Sequence, residues 1–280
     1  MRLPAQLLKR KPDTHKGSYG HVLVLGGSTG LTGAVCLCAN SALKMGAGLV
    51  TAGVPVSLNS IFEIKLTEVM TLPLADYEGG LCLESFSRIE EFLPKVDVLV
   101  IGPGASVGPN TQKLMVKIIE QVDKPVVADA DAITALAANL DALGRKKTKE
   151  IILTPHLGEF SRLIDLDKNQ INKKRKELVK DFALRYNLTL VLKGNRTLVS
   201  DGKNIFENKT GNPGLATAGT GDVLSGMIAG LLAQGLSVYE AAKYGVYLHG
   251  LAGDLAVKEK TQNCLIASDI INYLPKAMKK

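Results

Sequence analysis

The feature that most constrains the fold is a series of six short, continuously apolar segments typical of β-strands. They cover residues 21–27, 49–54, 96–102, 125–129, 151–155 and 188–194. Continuous rather than alternating apolar runs are typical of parallel strands that are covered on both faces. Helical patterns, such as residues 33–46 and 176–187, lie between them. This alternation predicts a doubly wound α/β fold with a mostly parallel central sheet.

An antiparallel edge is predicted near residue 200. Residues 197–208 form two short β-prone runs about Asp201-Gly202, which is a strong hairpin signal. Further along, Ser237 is followed three residues later by Glu240, a pattern that predicts a capping box at a helix start. The chain shows no internal repeat and no change in composition, so a single domain over residues 1–280 is expected.

Composition excludes several classes of protein. The chain is 46% hydrophobic and 22% charged, with a net charge of +7. No uninterrupted apolar run is long enough to predict a membrane span. The lysine clusters lack interleaved aromatic residues, which disfavours nucleic-acid binding, whereas a basic balance suits phosphorylated substrates. The four cysteines show no metal-ligand spacing, so free buried thiols in a cytoplasmic protein are expected.

The glycine-rich segment after the first strand does not match a redox dinucleotide site. Its glycines, Gly26, Gly27, Gly30 and Gly33, do not fit G-x-G-x-x-G, and no acidic residue ends the second strand. The P-loop pattern is absent as well. A hydride-transfer function is therefore disfavoured. The alternative is that these small residues only allow tight helix–strand packing.

Residues 211–232 carry the most informative pattern. Apolar residues at helical spacing predict a helix that begins near Gly221 and Asp222. Its free N–H groups and positive dipole end would form an anion site above Gly219 to Gly221. Asp222 would lie at the edge of this site, where a carboxylate can take a proton from a hydroxyl during phosphoryl transfer. The alternative is that Asp222 only caps the helix.

The same segment closely resembles the signature of the ribokinase-like NAD(P)H-hydrate dehydratases. Further matches follow the chain order and cover nearly all of it: HKGSYGHVLVLGGSTGLTGA, MGAGLVTAGVP, IGPG, DADAI, LTPHLGEF and VLKGNRT. The resemblance implies a ribokinase-like three-layer α/β/α sandwich. It also implies repair of hydrated NADH or NADPH, in which a nucleotide phosphorylates the ring hydroxyl of the S-epimer and phosphate then leaves.

The resemblance also implies roles for individual residues. The hydrated dinucleotide would contact Ala34, Gly104, His156 and Asp222, with Asp222 as the catalytic base. The phosphate donor would contact Lys193, Gly194, Asn195, Arg196, Thr197 and Gly221. Mg²⁺ is the expected cofactor, with Glu159 as its water-mediated organiser. Asp129 and Asp131 are comparable but weaker candidates. For His156 the alternative is a hydrogen-bonded helix start, and for Lys193 it is a solvated strand end.

Stand-alone bacterial members of this family mostly use ADP, and ADP is therefore the expected donor, ahead of ATP. The chain begins about twenty residues before its first strand. We therefore expect no epimerase domain and a functional partnership with a separate NAD(P)H-hydrate epimerase. A cytoplasmic homotetramer that binds neither nucleic acid nor membranes is expected. Two other functions remain open, namely a ribokinase-like kinase for a vitamin precursor and a non-catalytic dinucleotide-binding protein.

Overall fold

A nine-stranded sheet forms the centre of the molecule. The structure is a computed structural model and describes residues 1–279. The strands are β1 (His21–Leu25), β2 (Leu49–Pro55), β3 (Met70–Leu74), β4 (Asp76–Tyr77), β5 (Gly80–Leu81), β6 (Val98–Ile101), β7 (Val126–Ala128), β8 (Ile151–Leu153), β9 (Thr189–Leu192), β10 (Leu198–Ser200) and β11 (Ile205–Glu207). The sheet order is β11-β10-β9-β8-β7-β6-β1-β2-β3, while β4 and β5 pair separately as a small hairpin.

Helices cover both faces of this sheet. They are α1 (Ala5–Leu8), α2 (Thr32–Lys44), α3 (Asn59–Lys65), α4 (Ser85–Phe92), α5 (Pro109–Gln121), α6 (Asp131–Ala138), α7 (Ala142–Arg145), α8 (Leu157–Ile164), α9 (Lys168–Lys173), α10 (Arg175–Tyr186), α11 (Thr220–Ala233), α12 (Val238–Ala256) and α13 (Ala267–Met278). Short 3₁₀ turns cover Lys16–Tyr19, Val56–Leu58, Leu93–Lys95, Pro213–Leu215 and Gln262–Cys264. None of the helices described between residues 1 and 279 combines the length and apolar character needed to cross a bilayer.

The side chains of β1 show why the fold has three layers. Val22 and Val24 point into one core, which they share with α2, α11, α12 and α13, whereas Leu23 and Leu25 point into a second core with α5, α6, α8 and α10. All four side chains are fully buried. Burying each one stabilises the fold by about 1.5–3 kcal/mol. A strand buried on both faces cannot alternate with polar residues, which explains the continuous apolar runs.

The predicted fold class is confirmed. The strands from β3 through β2, β1, β6, β7 and β8 to β9 run parallel, and β10 and β11 add the antiparallel edge. All six predicted strands are present, although several are shorter than predicted. Strand β3 and the hairpin of β4 and β5 were not predicted. The single domain over residues 1–280 stays a prediction.

Two local predictions need correction. Ser237 is the N-cap of α12 and accepts the Glu240 N–H at 3.4 Å, but its hydroxyl also donates to the Glu240 carboxylate at 3.0 Å. The reciprocal bond of a capping box is therefore replaced by a side-chain bond. Among the four cysteines, Cys264 is exposed rather than buried. It lies in a 3₁₀ turn at the surface instead of on an inward helix face.

The chain reverses its winding direction between β1 and β6. In open α/β sheets, ligands bind at such a switch point, beyond the carboxyl ends of the strands. Here the Gly27 N–H donates to the Pro103 carbonyl at 2.9 Å, so the loops that follow the two strands touch. A side chain at Gly26 would collide with the same carbonyl. The crevice is therefore built from backbone in close approach.

Helix α11 packs against α2 through glycines. A Cβ atom at Gly226 would collide with the Cys38 carbonyl, and one at Gly230 would lie 2.6 Å from the Ala42 carbonyl oxygen. The Ser41 hydroxyl donates to the Val223 carbonyl at 3.0 Å. The glycines of α11 therefore allow the backbone of α2 to approach closely. This contact fixes the amino-terminal ends of both helices at the crevice.

Candidate active site

A buried ion pair lies at the carboxyl ends of β7 and β9. The Lys193 ammonium is 2.7 Å from Asp129 Oδ1, with side-chain exposures of 19% and 2%. Burial opposes the positive charge, but the carboxylates of Asp129, Glu159 and Asp222 together raise the pKa of Lys193. Lys193 therefore stays protonated at neutral pH and is available to a phosphate. It is not a solvated strand end.

Asp222 lies in the first turn of α11 and does not cap it. The N-cap is Gly219, whose φ of 87° is left-handed and which has no side chain that could cap the helix start. The alternative interpretation of Asp222 as a cap is therefore wrong. Burial, and then the charge of Asp129, raise the pKa of Asp222 to about 7, against the opposing effect of Lys193. A carboxylate with this pKa is suited to general-base catalysis near neutral pH.

The start of α11 leaves backbone donors available. The first helical bond runs from the Val223 N–H to the Gly219 carbonyl at 3.1 Å, so the N–H groups of Thr220, Gly221 and Asp222 precede the helical ladder. A Cβ at Gly221 would lie 3.3 Å from Lys193 Nζ. The helix start and the ammonium therefore converge on one point, as an anion site requires. Of the two glycines, it is Gly219 and not Gly221 that has a positive φ.

A cavity of about 500 Å³ opens beside this point, and it contains every residue predicted to contact the nucleotide. The segment Lys193–Thr197 and Gly221 line one part of it. The segment is a tight turn in which Gly194 and Arg196 have φ of 138° and 54°. The Thr197 hydroxyl closes the turn by donating to the Gly194 carbonyl at 2.9 Å. Asp222 is not among the residues that line this cavity, and its charge interacts with those of Asp129, Lys193 and Asp131.

His156 and Glu159 begin α8. His156 Nδ1 accepts the N–H groups of Gly158 and Glu159 at 2.9 and 3.1 Å, and Glu159 accepts the His156 N–H at 2.7 Å. These bonds form a capping box, so the helix-start interpretation of His156 is correct. His156 also pairs with Lys193 through a parallel bridge. Burial lowers the pKa of His156 and raises the pKa of Glu159.

Ala34 and Gly104 lie together at the switch point. A Cβ at Gly104 would lie 3.0 Å from Ala34 Cβ and 2.6 Å from the Leu31 carbonyl oxygen. Gly104 has φ of 58°, so the turn after β6 needs glycine for its conformation as well as for space. Ala34 is on α2, whose packing against α11 connects this region to Asp222.

The carboxylates near Lys193 suit a hard cation bound through water. Among residues 1–279, no three His, Cys, Asp or Glu side chains converge as a metal cage. Glu159 is buried and supplies carboxylate oxygens, and Asp131 accepts the Ser106 N–H at 2.9 Å. Mg²⁺ prefers oxygen ligands, keeps several waters and is usually held by one or two carboxylates plus substrate phosphates. The residues present therefore fit Mg²⁺ carried by a nucleotide.

His249 was not predicted. It lies on α12, lines the same cavity and is 2.9 Å from the Thr220 carbonyl oxygen through Nε2. Burial lowers the pKa of His249 to about 4, so it is neutral at pH 7 and donates this bond. It thereby holds the first residue of α11 in place. In the sequence, the signal for this residue was a lone imidazole among the small and hydrophobic residues of 245–253.

Comparison with solved structures shows that this chain has the ribokinase-like fold. A ribokinase from Arabidopsis thaliana shares the fold at a TM-score of 0.58 and 13% identity. The ADP/ATP-dependent NAD(P)H-hydrate dehydratase of Bacillus subtilis, co-crystallised with ATP/Mg²⁺, superposes with a TM-score of 0.81 at 30% identity, over 98% of this chain and 94% of that chain. The NAD(P)H-hydrate dehydratase family pattern matches residues 22–276. The chain belongs to the NAD(P)H-hydrate dehydratase family.

Curated relatives agree with this assignment. The chain is 45% identical over 278 residues to the bifunctional NAD(P)H-hydrate repair enzyme Nnr of Moorella thermoacetica, covering 98% of this chain and 52% of that enzyme. It is 38% identical over 264 residues to the ADP-dependent (S)-NAD(P)H-hydrate dehydratase of Neisseria meningitidis serogroup B, covering 92% and 84%. The chain thus spans about half the length of the bifunctional relatives it matches.

Proposed function

We propose that this protein restores NADH and NADPH from the S-epimers of their hydrates, at the expense of a nucleotide. The observation that carries the proposal is the convergence of three groups on one point. These are the Lys193 ammonium, the free N–H groups at the start of α11, and the Asp222 carboxylate with its pKa raised to about 7. Together they can hold a phosphoryl group and activate a hydroxyl beside it.

The first chemical step is phosphoryl transfer. Asp222 takes the proton of the ring hydroxyl, whose oxygen attacks the terminal phosphorus of the nucleotide. The bond from that phosphorus to the departing nucleotide breaks, and ADP leaves as AMP. Lys193 and the N–H groups before Val223 balance the negative charge of the transferred group. Gly221 gives that group access because it has no side chain beside Lys193 Nζ.

The second step removes the phosphate. The carbon–oxygen bond breaks with its electron pair on phosphate, and the adjacent ring carbon loses a proton as the double bond forms. The sum is hydrated NADH plus ADP giving NADH, AMP, phosphate and a proton. No hydride moves, in agreement with the missing redox fingerprint after β1. Ala34, Gly104 and His156 are proposed to orient the hydrated dinucleotide.

Mg²⁺ is proposed as the cofactor, and it would neutralise charge on the nucleotide phosphates. Glu159 would hold it through water, with Asp129 and Asp131 as weaker candidates. Glu159 suits this position because α8 buries its carboxylate next to Lys193. The ATP/Mg²⁺ present with the Bacillus subtilis relative supports the choice of ion.

ADP is the proposed donor, bound by Lys193–Thr197 and Gly221. The ADP-dependent relative from Neisseria meningitidis supports ADP, and the Bacillus subtilis relative is named for both ADP and ATP. A separate NAD(P)H-hydrate epimerase is the proposed functional partner, and the bifunctional character of Nnr supports this coupling. A cytoplasmic location and a homotetrameric assembly remain predictions.

The test is recovery of reduced-nicotinamide absorbance from an epimer mixture of hydrated NADH, with Mg²⁺ and either ADP or ATP. We expect recovery that needs nucleotide, stops near half of the mixture and resumes when an epimerase is added. Phosphate and AMP should accumulate in equal amounts. A stable phosphorylated product would instead identify a small-molecule kinase, and binding without turnover would identify a non-catalytic protein. Faster turnover with ATP than with ADP at matched Mg²⁺ would overturn the donor assignment.

A further inference from the structure

A second cavity lies at the carboxyl ends of β1 and β6, beneath the hairpin of β4 and β5. Its volume is about 320 Å³, and seven of its eleven lining residues have polar side chains, namely Ser28, Thr29, Tyr77, Glu78, Ser106, Asn110 and Thr111. The Ser28 hydroxyl donates to the Gly104 carbonyl at 2.9 Å, and the Ser106 N–H donates to Asp131 Oδ2 at 2.9 Å. The cavity therefore borders both Gly104 and the carboxylate cluster around Asp222.

Positive backbone φ angles mark this cavity. Among residues 1–279, six residues other than glycine have positive φ, and two of them, Asp165 and Asn187, end helices. The other four surround the site: Ala130 and Arg196 beside the ion pair, and Glu78 and Ser106 in the second cavity. Glu78 and Gly79 form a two-residue hairpin turn with φ of 52° and 73°, a turn that favours Asn, Asp or Gly. Glutamate at this position points to a role for its carboxylate.

The positions of the two cavities relative to the reacting groups indicate which part of the substrate the second cavity binds. Among residues 1–279, the cavity lined by Lys193–Thr197 and the second cavity share no lining residue. Asp129 bonds Lys193 of the first cavity and Asp131 bonds Ser106 of the second, so these carboxylates connect the two cavities. The acceptor hydroxyl must meet the phosphoryl group at Asp222, opposite the donor. The rest of a dinucleotide that reacts there has to extend away from Lys193–Thr197. Gly104 and the second cavity lie in that direction.

We propose that the second cavity takes the adenosine ribose of the hydrated dinucleotide and that Glu78 selects the form with a free 2′-hydroxyl. This inference rests on the proposed function. A carboxylate accepts a hydrogen bond from a ribose 2′-hydroxyl and repels a 2′-phosphate, which other dinucleotide sites bind with arginine. Within residues 1–279, no lysine, arginine or histidine lines this cavity. Hydrated NADH is therefore the preferred substrate over hydrated NADPH.

Other side chains of the cavity suit a nucleoside. The Ser106 hydroxyl would lie 3.3 Å from a Cβ at Gly80, so this glycine leaves the hydroxyl accessible. The Thr111 hydroxyl donates to the Leu81 carbonyl at 2.7 Å and keeps its lone pairs for a ribose hydroxyl. Tyr77 is 62% exposed beside the cavity, so its ring offers a face on which adenine can stack.

The test compares kcat/KM for hydrated NADH and hydrated NADPH in the wild type and in Glu78→Gln and Glu78→Arg. We expect the wild type to favour hydrated NADH by about tenfold or more, the Gln variant to narrow the ratio and the Arg variant to reverse it. Glu68→Arg is the matched control, because Glu68 is exposed, lies outside the cavity and undergoes the same change of charge. Melting curves check that all variants fold.

Equal kcat/KM for the two hydrates in the wild type would overturn the inference. So would a ratio in Glu78→Arg that matches the ratio in Glu68→Arg. Both results would leave the proposed function intact, because turnover itself would be present. If the wild type turns over neither hydrate, the proposed function fails. The inference about Glu78 is then decided by the affinities of the wild type and of Glu78→Arg for NADH and NADPH, measured in the presence of AMP. Tighter binding of NADH that Glu78→Arg reverses supports it, and equal affinity contradicts it.

Discussion

The Lys193 ammonium bonds Asp129 Oδ1 at 2.7 Å, and its charge also acts on Asp222. The two carboxylates differ in how they interact with Lys193. Asp129 accepts a hydrogen bond from the ammonium, whereas Asp222 has a pKa raised to about 7. Lys193 is thus anchored at one carboxylate and leaves the other free to take up a proton.

Asp222→Asn should fold and lose activity. Because Gly219 is the N-cap, the substitution removes no capping bond. A positioned base contributes about 10² to 10⁴ in rate, so recovery of the reduced nicotinamide should fall at least about a hundredfold. Nucleotide binding through Lys193–Thr197 should persist in calorimetry. A folded Asn variant with more than about a tenth of the wild-type rate would remove Asp222 from the role of base.

The same substitution should change stability in a pH-dependent way. The folded protein holds the pKa of Asp222 at about 7, above its ordinary value of 3.8. As the pH rises from about 4 to 7, the unfolded chain ionises this group first, so the wild type loses stability over that range. Asn cannot ionise. The melting temperature of Asp222→Asn relative to the wild type should therefore be higher at about pH 8 than at about pH 5; an unchanged difference would contradict the raised pKa.

Two charge substitutions should move the acidic limb of activity in opposite directions. The base must be ionised, so kcat/KM should fall about tenfold per pH unit below the pKa of Asp222. The charge of Asp129 raises this pKa and that of Lys193 lowers it. Asp129→Asn should shift the limb to lower pH, and Lys193→Gln should shift it to higher pH. Profiles measured on the residual activity of both variants provide the check; shifts of the same sign would mean that another group titrates.

Gly221→Val should abolish turnover and leave folding largely intact. Gly221 has no positive φ, so a side chain strains no backbone, but its Cβ would lie 3.3 Å from Lys193 Nζ and obstruct the phosphoryl position. Gly219→Ala is the contrasting variant. Its φ of 87° and a Cβ distance of 2.6 Å to Leu37 Cδ1 predict loss of stability instead. Melting curves and turnover of both variants separate the effects; normal turnover in folded Gly221→Val would place the phosphate elsewhere.

Glu159→Gln should raise the Mg²⁺ concentration needed for half-maximal turnover. The Gln side-chain oxygen can still accept the His156 N–H, so α8 keeps its capping bond and the melting temperature should change little. Only the negative charge is lost. Titrating Mg²⁺ at saturating ADP measures the effect, with Glu90→Gln at an exposed position on α4 as the control for the same loss of charge. An unchanged requirement for Mg²⁺ would limit Glu159 to its structural role.

The sequence predicted the strands and turns that are determined by short, contiguous sequence patterns. The six buried parallel strands were predicted from continuous apolar runs, and the antiparallel hairpin was predicted from its Asp201-Gly202 turn. Strand β3 was missed because it is an edge strand with Pro73 and a partly exposed pattern. Strands β4 and β5 have two residues each, which is too short for any periodicity. His249 was missed because a single imidazole on an apolar helix looks like part of the core.

The sequence predicted which residues belong to the site but not which of them contact each other. The glycines and Asp222 mark a helix start in the sequence, but Gly219 as the cap follows from its left-handed backbone. The bond between Lys193 and Asp129 joins residues 64 positions apart. No local pattern encodes such a distance. It arises because β7 and β9 end at the same edge of the sheet, with β8 between them.

The contact of Gly226 and Gly230 with α2 has a mechanical consequence. Where two backbones touch without intervening side chains, moving one helix alone creates a collision or a void. We therefore expect the helix that carries Asp222 and the helix that carries Ala34 to move together. The acceptor site therefore cannot be enlarged for a bulkier alcohol by separating α2 from α11. Redesign for a larger substrate should instead change the tip of the β4–β5 hairpin, where Glu78 and Gly79 form a two-residue turn.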